Sequence, residues 1–299
     1  MMLLKKKSEK LLFEHYLISH CIVVSYILTK CNKDKLYLPC LEVPITTHCT
    51  LCCEKCSNLI QYYKSPYHVD YEKLILNISK LCECVDGIDC LRILGGEPLL
   101  APNLSEILLA VSCMNKIKNI VIVTNGTLVF TDQCVGILKN NKKIKISISN
   151  YKKKSIRLDE LIAQLEENGI HYVINDVLWK DKANISFKHK NSKKLKKAYN
   201  KCPNRFFSLL NDELHMCPHS AHGADLNVFE KLSTDYVCIA QYEEDYYKLK
   251  LSIKKLLDNS FITACNYCDE DVCNKLPLVE TAKQCRKEYA LQAFENMRK

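Results

Sequence analysis

Residues 45–58 read ITTHCTLCCEKCSN and follow an apolar run at 36–43 that predicts a β-strand. Cys49, Cys53 and Cys56 have the spacing C-x3-C-x2-C. Three thiolates in this spacing can bind three irons of a 4Fe–4S cluster and leave the fourth iron open, as a catalytic metal site requires. The same residues also fit a zinc knuckle, or cysteines used as small apolar side chains. Cys52 permits a second register, C-x2-C-x3-C, so spacing alone leaves the kind of site and its register open.

The length and composition indicate an ordinary globular protein. A chain of 299 residues can bury a sizeable core, as one large domain or as one domain with a small module. Its 26% charged and 47% hydrophobic residues are typical of soluble proteins. The net charge of +9 comes mostly from scattered lysines, which favours a solvated surface over a nucleic-acid-binding patch. We therefore expect no nucleic acid among its partners.

The 19 cysteines indicate a reducing compartment. In a long chain without a signal peptide, they favour reduced thiols that serve metal clusters over disulfides. The apolar stretch 11–28 is interrupted by Glu14, His15 and His20, which is more typical of a core helix than of a membrane span. We expect a cytoplasmic protein with no membrane partner.

From residue 38 onward, short apolar runs alternate with amphipathic segments. Strands are predicted at 38–43, 90–94, 119–124, 143–149 and 172–177, with a sixth sought in 178–190. Helices are predicted between them at 70–82, 103–114, 131–140 and 158–168. Strands and helices that alternate at this spacing predict βα units on a parallel sheet, and hence an α/β fold.

Polar residues follow the predicted strands, where α/β barrels collect their chemistry. Residues 95–98, GGEP, come after the second strand. Their glycines permit close approach of backbone to a ligand, and the carboxylate can receive an ammonium group; a plain strand-to-helix turn is the alternative. Residues 124–127, TNGT, follow the third strand, and Ser147, Ser149 and Asn150 end the fourth.

The last third of the chain carries a second set of cysteines, Cys202, Cys217, Cys265 and Cys268. Four cysteines can complete a 4Fe–4S cluster or a structural zinc site. Two apolar runs around an Asn-Asp pair in 206–216 predict a hairpin just before the second of these cysteines. Three histidines lie near this cysteine: His215, His219 and His222. Each is expected either to line a substrate cavity or to make ordinary hydrogen bonds. Cys273 does not fit a four-ligand site.

The cysteine triad, the GGEP and TNG loops and the βα pattern resemble the radical S-adenosylmethionine (radical SAM) enzymes. The later cysteines and hairpin resemble twitch, the shortened SPASM extension of that family, and the resemblance covers about residues 38–285. It implies a partial (β/α)6 TIM-like barrel with a small C-terminal module for an auxiliary cluster. The implied domains are a leader segment of unknown role at 1–37, the barrel at 38–200, and the twitch/SPASM-like module with a C-terminal helix at 201–299.

The resemblance also implies cofactors and their ligands. One 4Fe–4S cluster is expected on Cys49, Cys53 and Cys56, where it also binds S-adenosyl-L-methionine (SAM), and an auxiliary 4Fe–4S cluster on the four later cysteines. The residues expected at the SAM site are Gly95, Gly96, Glu97, Pro98, Thr124, Asn125 and Ser149. In the family the GGEP motif binds the amine of SAM. No catalytic side chain is implied.

The implied reaction is reductive cleavage of SAM to a 5′-deoxyadenosyl radical, which abstracts a hydrogen atom from a substrate. The expected substrate is a small polar, sugar-like molecule that is oxidised or otherwise modified. A ribosomally made peptide is the alternative, although segment 1–37 is shorter than the leader-binding domain of many peptide-modifying members. Flavodoxin or ferredoxin is the expected reductant. The second alternative is a non-catalytic iron–sulfur or zinc module. Such a module has no need of the amine-binding site that the GGEP motif implies.

Overall fold

The computed structural model describes residues 34–176, 178–181, 185–202, 206–269 and 276–298. The strands are β1 (Tyr37–Leu38), β2 (Leu41–Pro44), β3 (Gly87–Leu94), β4 (Ile117–Thr124), β5 (Ile144–Ser149), β6 (Tyr172–Asn175), β7 (Trp179–Lys180), β8 (Phe207–Leu210), β9 (Glu213–His215), β10 (Tyr236–Cys238) and β11 (Leu278–Val279). The α-helices are α1 (Tyr71–Cys84), α2 (Leu104–Ser112), α3 (Asp132–Lys139), α4 (Leu158–Glu167), α5 (Ser192–Lys201), α6 (Pro218–Asp225), α7 (Tyr246–Leu257) and α8 (Lys287–Arg298).

A nine-stranded sheet forms the centre of the fold. Strands β2 to β6 lie side by side in chain order, and each neighbouring pair is parallel. Parallel strands in sequential order, each followed by a helix, are the arrangement of a β/α barrel, whereas a doubly wound sheet reverses its strand order. The prediction of an α/β fold built on a partial barrel is confirmed.

Side-chain periodicity orients the polar residues at the ends of the strands. In β4, Ile120 and Ile122 are fully buried, and Thr124 continues the same face at the carboxyl end. Leu74 and Ile78 of α1 follow the helical period and join the same core. The alternation of side chains that buries Ile120 and Ile122 therefore also points Thr124 towards the loop after β3.

Capping residues explain where the helices begin. The side chain of Asp70 accepts a hydrogen bond from Lys73 N at the start of α1, and that of Thr131 accepts one from Cys134 N at the start of α3. The four predicted helices are confirmed, each within two residues at either end. The first five predicted strands are also confirmed, within about three residues over their described part.

The predicted hairpin forms and joins the barrel sheet. Strand β8 pairs with β9 in antiparallel fashion and with β2 in parallel. Asn211 occupies the turn with a left-handed φ of 54°, which Asn tolerates better than most residues. The sixth parallel strand beside β2 is therefore β8. The prediction of a sixth strand within 178–190 is wrong, because β7, which lies there, pairs with β11 in a separate two-stranded sheet.

The core helix predicted at 11–28 falls outside the described residues. Among the helices that the structure describes, none is long and apolar enough to cross a membrane.

Candidate functional site

The cysteine-bearing loop starts at the carboxyl end of β2 and packs on the loop after β3. Gly96 N donates to Thr46 O at 2.8 Å, and Glu97 N donates to His48 O at 2.9 Å. A Cβ on Gly95 would lie 2.2 Å from Thr46 O, and one on Gly96 would lie 2.1 Å from His48 O. We expected these glycines to admit a ligand, whereas the space that they leave is filled by the backbone of the cysteine loop.

Three thiols of this loop lie close enough together to interact electrostatically. Burial raises the pKa of Cys49 to about 12, and the nearby thiols of Cys56 and Cys53 add to the shift. Burial also raises the pKa of Cys53 to about 12, again with a contribution from Cys56, and it raises the pKa of Cys56 itself. Thiols in such surroundings stay protonated at neutral pH unless a cation compensates, and bound iron supplies that compensation.

Amide donors face two of these sulfurs. Leu51 N donates to Cys49 Sγ at 3.4 Å, and Asn125 Nδ2 approaches the same sulfur at 3.8 Å. Gln284 Nε2 donates to Cys53 Sγ at 3.3 Å. Hydrogen bonds of this kind favour the thiolate over the thiol.

Cys56 Sγ lies beside the turn that follows it. The backbone N–H groups of Ile60, Asn58 and Leu59 act to lower the pKa of Cys56 against the effect of burial, while Leu59 N donates its hydrogen bond to Cys56 O at 3.1 Å. Two thiols of the C-x3-C-x2-C set, those of Cys49 and Cys53, thus accept N–H hydrogen bonds at sulfur, an arrangement suited to negatively charged ligands of a metal cluster.

Cys52 belongs to a different contact. Its Sγ lies 3.6 Å from Cys285 Sγ, and Cys285 N donates to Cys52 O at 2.8 Å. The side chain therefore turns towards a segment near the C-terminus. This direction favours the register that uses Cys49, Cys53 and Cys56.

Within the ranges that the structure describes, no group of three or more His, Cys, Asp or Glu side chains is placed to hold one metal ion. A tetrahedral zinc site needs its ligands about 2.0–2.3 Å from one centre. In a 4Fe–4S cluster each thiolate binds a different iron, so the cysteines are spread further apart.

Glu97 joins the loops after β3 and β4. Its side chain is fully buried, and its carboxylate accepts from Thr124 Oγ1 at 2.9 Å, Asn125 N at 2.8 Å and Leu99 N at 3.1 Å. Burial raises the pKa of Glu97 to about 7, against the effect of these three donors. A carboxylate has about four acceptor positions, so one more donor can still be bound. Pro98 begins a short 3-10 helix directly after it.

The TNG loop contacts the cysteine loop through side chains. Asn125 Nδ2 donates to Thr50 Oγ1 at 3.1 Å, and Asn125 Oδ1 accepts from Thr127 N at 3.0 Å. The hydroxyls of Thr50 and Thr127 lie 2.6 Å apart. Asn125 therefore orders its own loop and the residue after Cys49 at once.

Ser149 and Tyr151 stand at the carboxyl end of β5. The Tyr151 side chain packs edge-on against Trp179 at 5.6 Å, and the nearby Ser149 acts to lower its pKa. Burial raises the pKa of Tyr151, and the thiols of Cys56, Cys53 and Cys49 raise it further, which places its phenol beside the cysteine triad. We did not predict a role for Tyr151; the available signal in the sequence is an aromatic residue two positions after a strand that ends in serine.

A second unforeseen element is the C-terminal strap, residues 280–287, which crosses the cysteine loop. Glu54 N donates to Lys283 O at 2.8 Å, and Cys53 and Gln284 form an antiparallel bridge. Lys287 Nζ donates to Ile60 O at 3.1 Å, just beyond the last cysteine of the triad. The strap thus holds the cysteine loop through both backbone and side-chain hydrogen bonds.

A cavity of about 240 Å³ opens beside the strap and the cysteine loop. Its lining includes Cys49, Thr50, Cys52 and Lys287. Burial lowers the pKa of Lys287, while the surrounding thiols raise it. Lys287 thus brings an amine to a cavity whose lining also includes the thiols of Cys49 and Cys52.

The structure also brings the four later cysteines together. Cys217 caps the N-terminus of α6, where its Sγ accepts from Ser220 N at 3.4 Å. Burial raises the pKa of Cys217 well above its ordinary value, and the thiols of Cys265, Cys202 and Cys268 raise it further. Cys217 is thus the common neighbour of the other three. Cys273 falls outside the described residues.

The three histidines of this region are buried but differ in their contacts. His215 Nδ1 lies 3.1 Å from Ser220 Oγ, so ordinary hydrogen bonding accounts for it. His222 Nδ1 lies 2.8 Å from the hydroxyl of Tyr63, while its Nε2 and both ring nitrogens of His219 have no hydrogen-bond partner among the described residues. Burial lowers the pKa of His219 to about 4 and that of His222 to about 3, so both are neutral.

No protein-family model matches the chain. GTP 3′,8-cyclase of Aquifex aeolicus is 30% identical over 168 residues, which are 49% of this chain and 50% of that protein. GTP 3′,8-cyclase of Clostridium perfringens is 27% identical over 157 residues, 47% of each chain. The chain therefore spans about half the length of the curated relatives it matches.

Three solved structures illustrate the likeness in fold. BtrN in complex with AdoMet and 2-DOIA gives a TM-score of 0.47 at 18% identity and covers 84% of this chain and 98% of that one. Histidine-tagged anSMEcpe with bound AdoMet gives 0.48 at 14% identity, covering 88% and 97%. Streptococcus suis SuiB bound to S-adenosylmethionine gives 0.41 at 21% identity, covering 50% and 36%. The GTP 3′,8-cyclases are radical SAM proteins, and over about half of its length the chain is similar to them in sequence.

Proposed function

We propose that the chain is a radical SAM enzyme with two 4Fe–4S clusters that oxidises or otherwise modifies a small polar, sugar-like molecule. The first cluster and SAM, when bound, supply a 5′-deoxyadenosyl radical that takes a hydrogen atom from the substrate. The observation that carries the proposal is a set of three neighbouring, partly or fully buried thiols on the loop at the carboxyl end of β2, two of which accept N–H hydrogen bonds at sulfur.

In this proposal Cys49, Cys53 and Cys56 hold the first cluster. Glu97 supports SAM through its amine, because its carboxylate keeps one acceptor position beyond its three internal hydrogen bonds. Asn125, which contacts both Cys49 and Thr50, fixes the distance between the SAM loops and the cluster loop. Tyr151 and Ser149 close the site at the end of β5 and exclude water from it.

The auxiliary cluster is assigned to Cys202, Cys217, Cys265 and Cys268. The mutual influence of their thiols on the pKa of Cys217 supports this set. A structural zinc ion on the same four residues is the alternative. The cluster accepts an electron from the substrate radical or anchors the substrate, and flavodoxin or ferredoxin supplies the electron for SAM cleavage.

A polar substrate is favoured by the buried polar groups between the two cysteine sets. Tyr63 lies close enough to Cys56 for that thiol to raise its pKa, and it bonds to His222 of the helix that Cys217 caps. The unpartnered nitrogens of His222 and His219 suit the hydroxyl groups of a sugar-like molecule. A ribosomally made peptide remains the alternative substrate.

Anaerobic reconstitution tests the proposal. With iron, sulfide, SAM and a strong reductant, the protein should bind about eight irons and form 5′-deoxyadenosine. A protein that binds iron or zinc but forms no 5′-deoxyadenosine would be the non-catalytic metal module instead.

A further inference from the structure

The side chain of Gln284 spans two residues of the cysteine loop from the C-terminal strap. Its Oε1 accepts from Cys52 N at 2.8 Å, and its Nε2 donates to Cys53 Sγ at 3.3 Å. These contacts join residues 232 and 231 positions apart in the chain. The Gln284 donor lowers the pKa of Cys53, which is the effect expected of an N–H group that favours the thiolate.

The orientation of this amide is fixed by its other contacts. Gln284 Nε2 also donates to Ala282 O at 2.7 Å, and carbonyl oxygen is an acceptor only. A flipped amide would place its oxygen against Ala282 O and its NH₂ group against Cys52 N–H. Both contacts would then be repulsive, so the nitrogen must face Cys53 Sγ.

Backbone pairing holds Gln284 in place. Glu54 N donates to Lys283 O at 2.8 Å on one side, and Cys285 N donates to Cys52 O at 2.8 Å on the other. The side chain thus starts from a residue whose two neighbours are both tied to the loop. Its amide is therefore already oriented towards Cys53 Sγ and needs little rearrangement when negative charge increases on that sulfur.

We propose that Gln284 is a positioning residue for the first cluster that raises its reduction potential through the hydrogen bond to Cys53. The inference rests on the proposed function, because it requires that Cys53 is a cluster ligand. Reduction adds negative charge to the cluster and its thiolates, and an N–H donor aimed at sulfur stabilises the reduced form more than the oxidised form. The strap therefore makes the cluster easier to reduce before SAM is cleaved.

The test is a reductive titration of reconstituted protein followed by electron paramagnetic resonance. The signal to follow is the one that changes when SAM is added, because that change marks the cluster with the open iron. Gln284→Leu keeps much of the side-chain volume and removes the donor, so its midpoint potential should be lower than that of the wild type. Gln284→Glu places a carboxylate beside the sulfur and should lower the potential further.

Gln164→Leu is the matched control. Gln164 also makes two amide hydrogen bonds, accepting from Phe130 N at 2.9 Å and donating to Phe130 O at 2.8 Å, but it faces no cysteine. Its loss should leave the midpoint potential at the wild-type value. A change in Gln164→Leu equal to that in Gln284→Leu would overturn the inference.

The outcomes separate this inference from the proposed function. Wild-type protein without a SAM-responsive signal would refute the proposed function itself. A wild-type signal with an unchanged potential in Gln284→Leu would refute the role of Gln284 alone. If Gln284→Leu does not assemble the cluster, Gln284→Asn, whose shorter amide cannot span both contacts, is titrated in its place. Loss of the cluster in both variants would show that Gln284 serves assembly and not the potential.

Discussion

The side-chain direction of Cys52 separates it from the three cysteines around it. Its sulfur faces Cys285 at 3.6 Å, while N–H donors face the sulfurs of Cys49 and Cys53. We expect Cys52→Ala to retain the SAM-responsive cluster and Cys53→Ala to lose it. Iron content and the electron paramagnetic resonance spectrum after reconstitution measure both.

Cys285→Ala is the control for this pair. It removes the partner of Cys52 without touching the triad, so the cluster should be retained. A cluster that survives Cys53→Ala but not Cys52→Ala would move the ligand by one position and contradict the C-x3-C-x2-C register.

Glu97 predicts how SAM binding responds to pH. Its carboxyl has a pKa of about 7 in the folded protein, and it must be ionised to pair with the amine of SAM. SAM affinity should therefore rise as the pH increases through 7. Glu97→Gln should lose this dependence and bind SAM roughly one to two powers of ten more weakly, since charge-assisted hydrogen bonds contribute about 1.5–3 kcal/mol. Calorimetry on either side of pH 7 measures both effects.

The raised pKa of Glu97 also makes the stability of the SAM-free protein depend on pH. The folded value of about 7 exceeds the ordinary 4.5, so the folded protein binds the proton more tightly than the unfolded chain does. The contribution of Glu97 to stability is full below about pH 4.5 and declines as the pH rises to about 7.

The prediction for SAM binding has a clear contrary outcome. A Glu97→Gln protein whose SAM affinity keeps the wild-type dependence on pH would show that Glu97 is not part of the SAM site.

The position of a residue can be predicted where a motif has a local spacing, but not where a side chain acts alone. The triad and the GGEP and TNG loops each stand at fixed positions after strands, so the sequence places them at one end of the barrel. Tyr151 has no such companion. Its place beside the three thiols depends on the path of the chain after β5 and on packing against Trp179, which no local pattern encodes.

At the level of elements, the contact between two loops makes a steric prediction. Gly96→Ala would place a Cβ 2.1 Å from His48 O, so the loops must separate. We expect a loss of about 1–3 kcal/mol in the free energy of unfolding, as in other overpacked sites, and a loss of the first cluster. Chemical denaturation of the metal-free protein and iron analysis of the reconstituted protein measure the two effects.

Gly136→Ala is the matched control. Gly136 lies within α3, and a Cβ there meets nothing within 4 Å. Alanine should raise the free energy of unfolding by about 0.5–1 kcal/mol, because it restricts the unfolded chain and suits a helix. Equal stability and iron content in both variants would mean that the glycines of the GGEP motif do not set the distance between the loops.

The elements that prediction missed are those defined by distant pairing. Strands β2 to β6 were foreseen from runs of apolar residues, but the pairing of β8 with β2 joins segments about 166 positions apart, as in Leu41 with Phe207. The strap is a still clearer case, since it is short and irregular and gains its structure from the cysteine loop. Neither has a periodic pattern from which its partner can be read.

At the scale of the whole molecule, the two cysteine sets lie on one continuous framework. Strand β8 extends the barrel sheet into the hairpin that leads to Cys217, and α8 begins where the strap leaves the first site. Tyr63 and His222 connect the two sides through a hydrogen bond of 2.8 Å. A change in one set can therefore affect the other through packing as well as through chemistry.

Because the two cysteine sets share this framework, the auxiliary cluster is best tested by removing a single ligand. Cys268→Ala removes one of its four proposed ligands. If the second site holds a 4Fe–4S cluster, iron content should fall from about eight to about four per chain, while the SAM-responsive signal and slow formation of 5′-deoxyadenosine remain. Formation of the oxidised product should stop if this cluster accepts the electron of the substrate radical, and should persist weakly at high substrate concentration if it only anchors the substrate.

Cys113→Ala provides the comparison, because Cys113 is exposed and belongs to neither set. It should keep about eight irons and full activity. Metal binding and folding are coupled, so near-ultraviolet circular dichroism of Cys268→Ala must first show that the barrel is still packed. With the barrel intact, an iron content of about four in both the wild type and the variant, with zinc bound by the wild type and lost from the variant, would assign a structural zinc site to the four cysteines. Full product yield from the folded variant would instead rule out electron transfer through the second site and leave it a role in substrate binding or in bracing the hairpin.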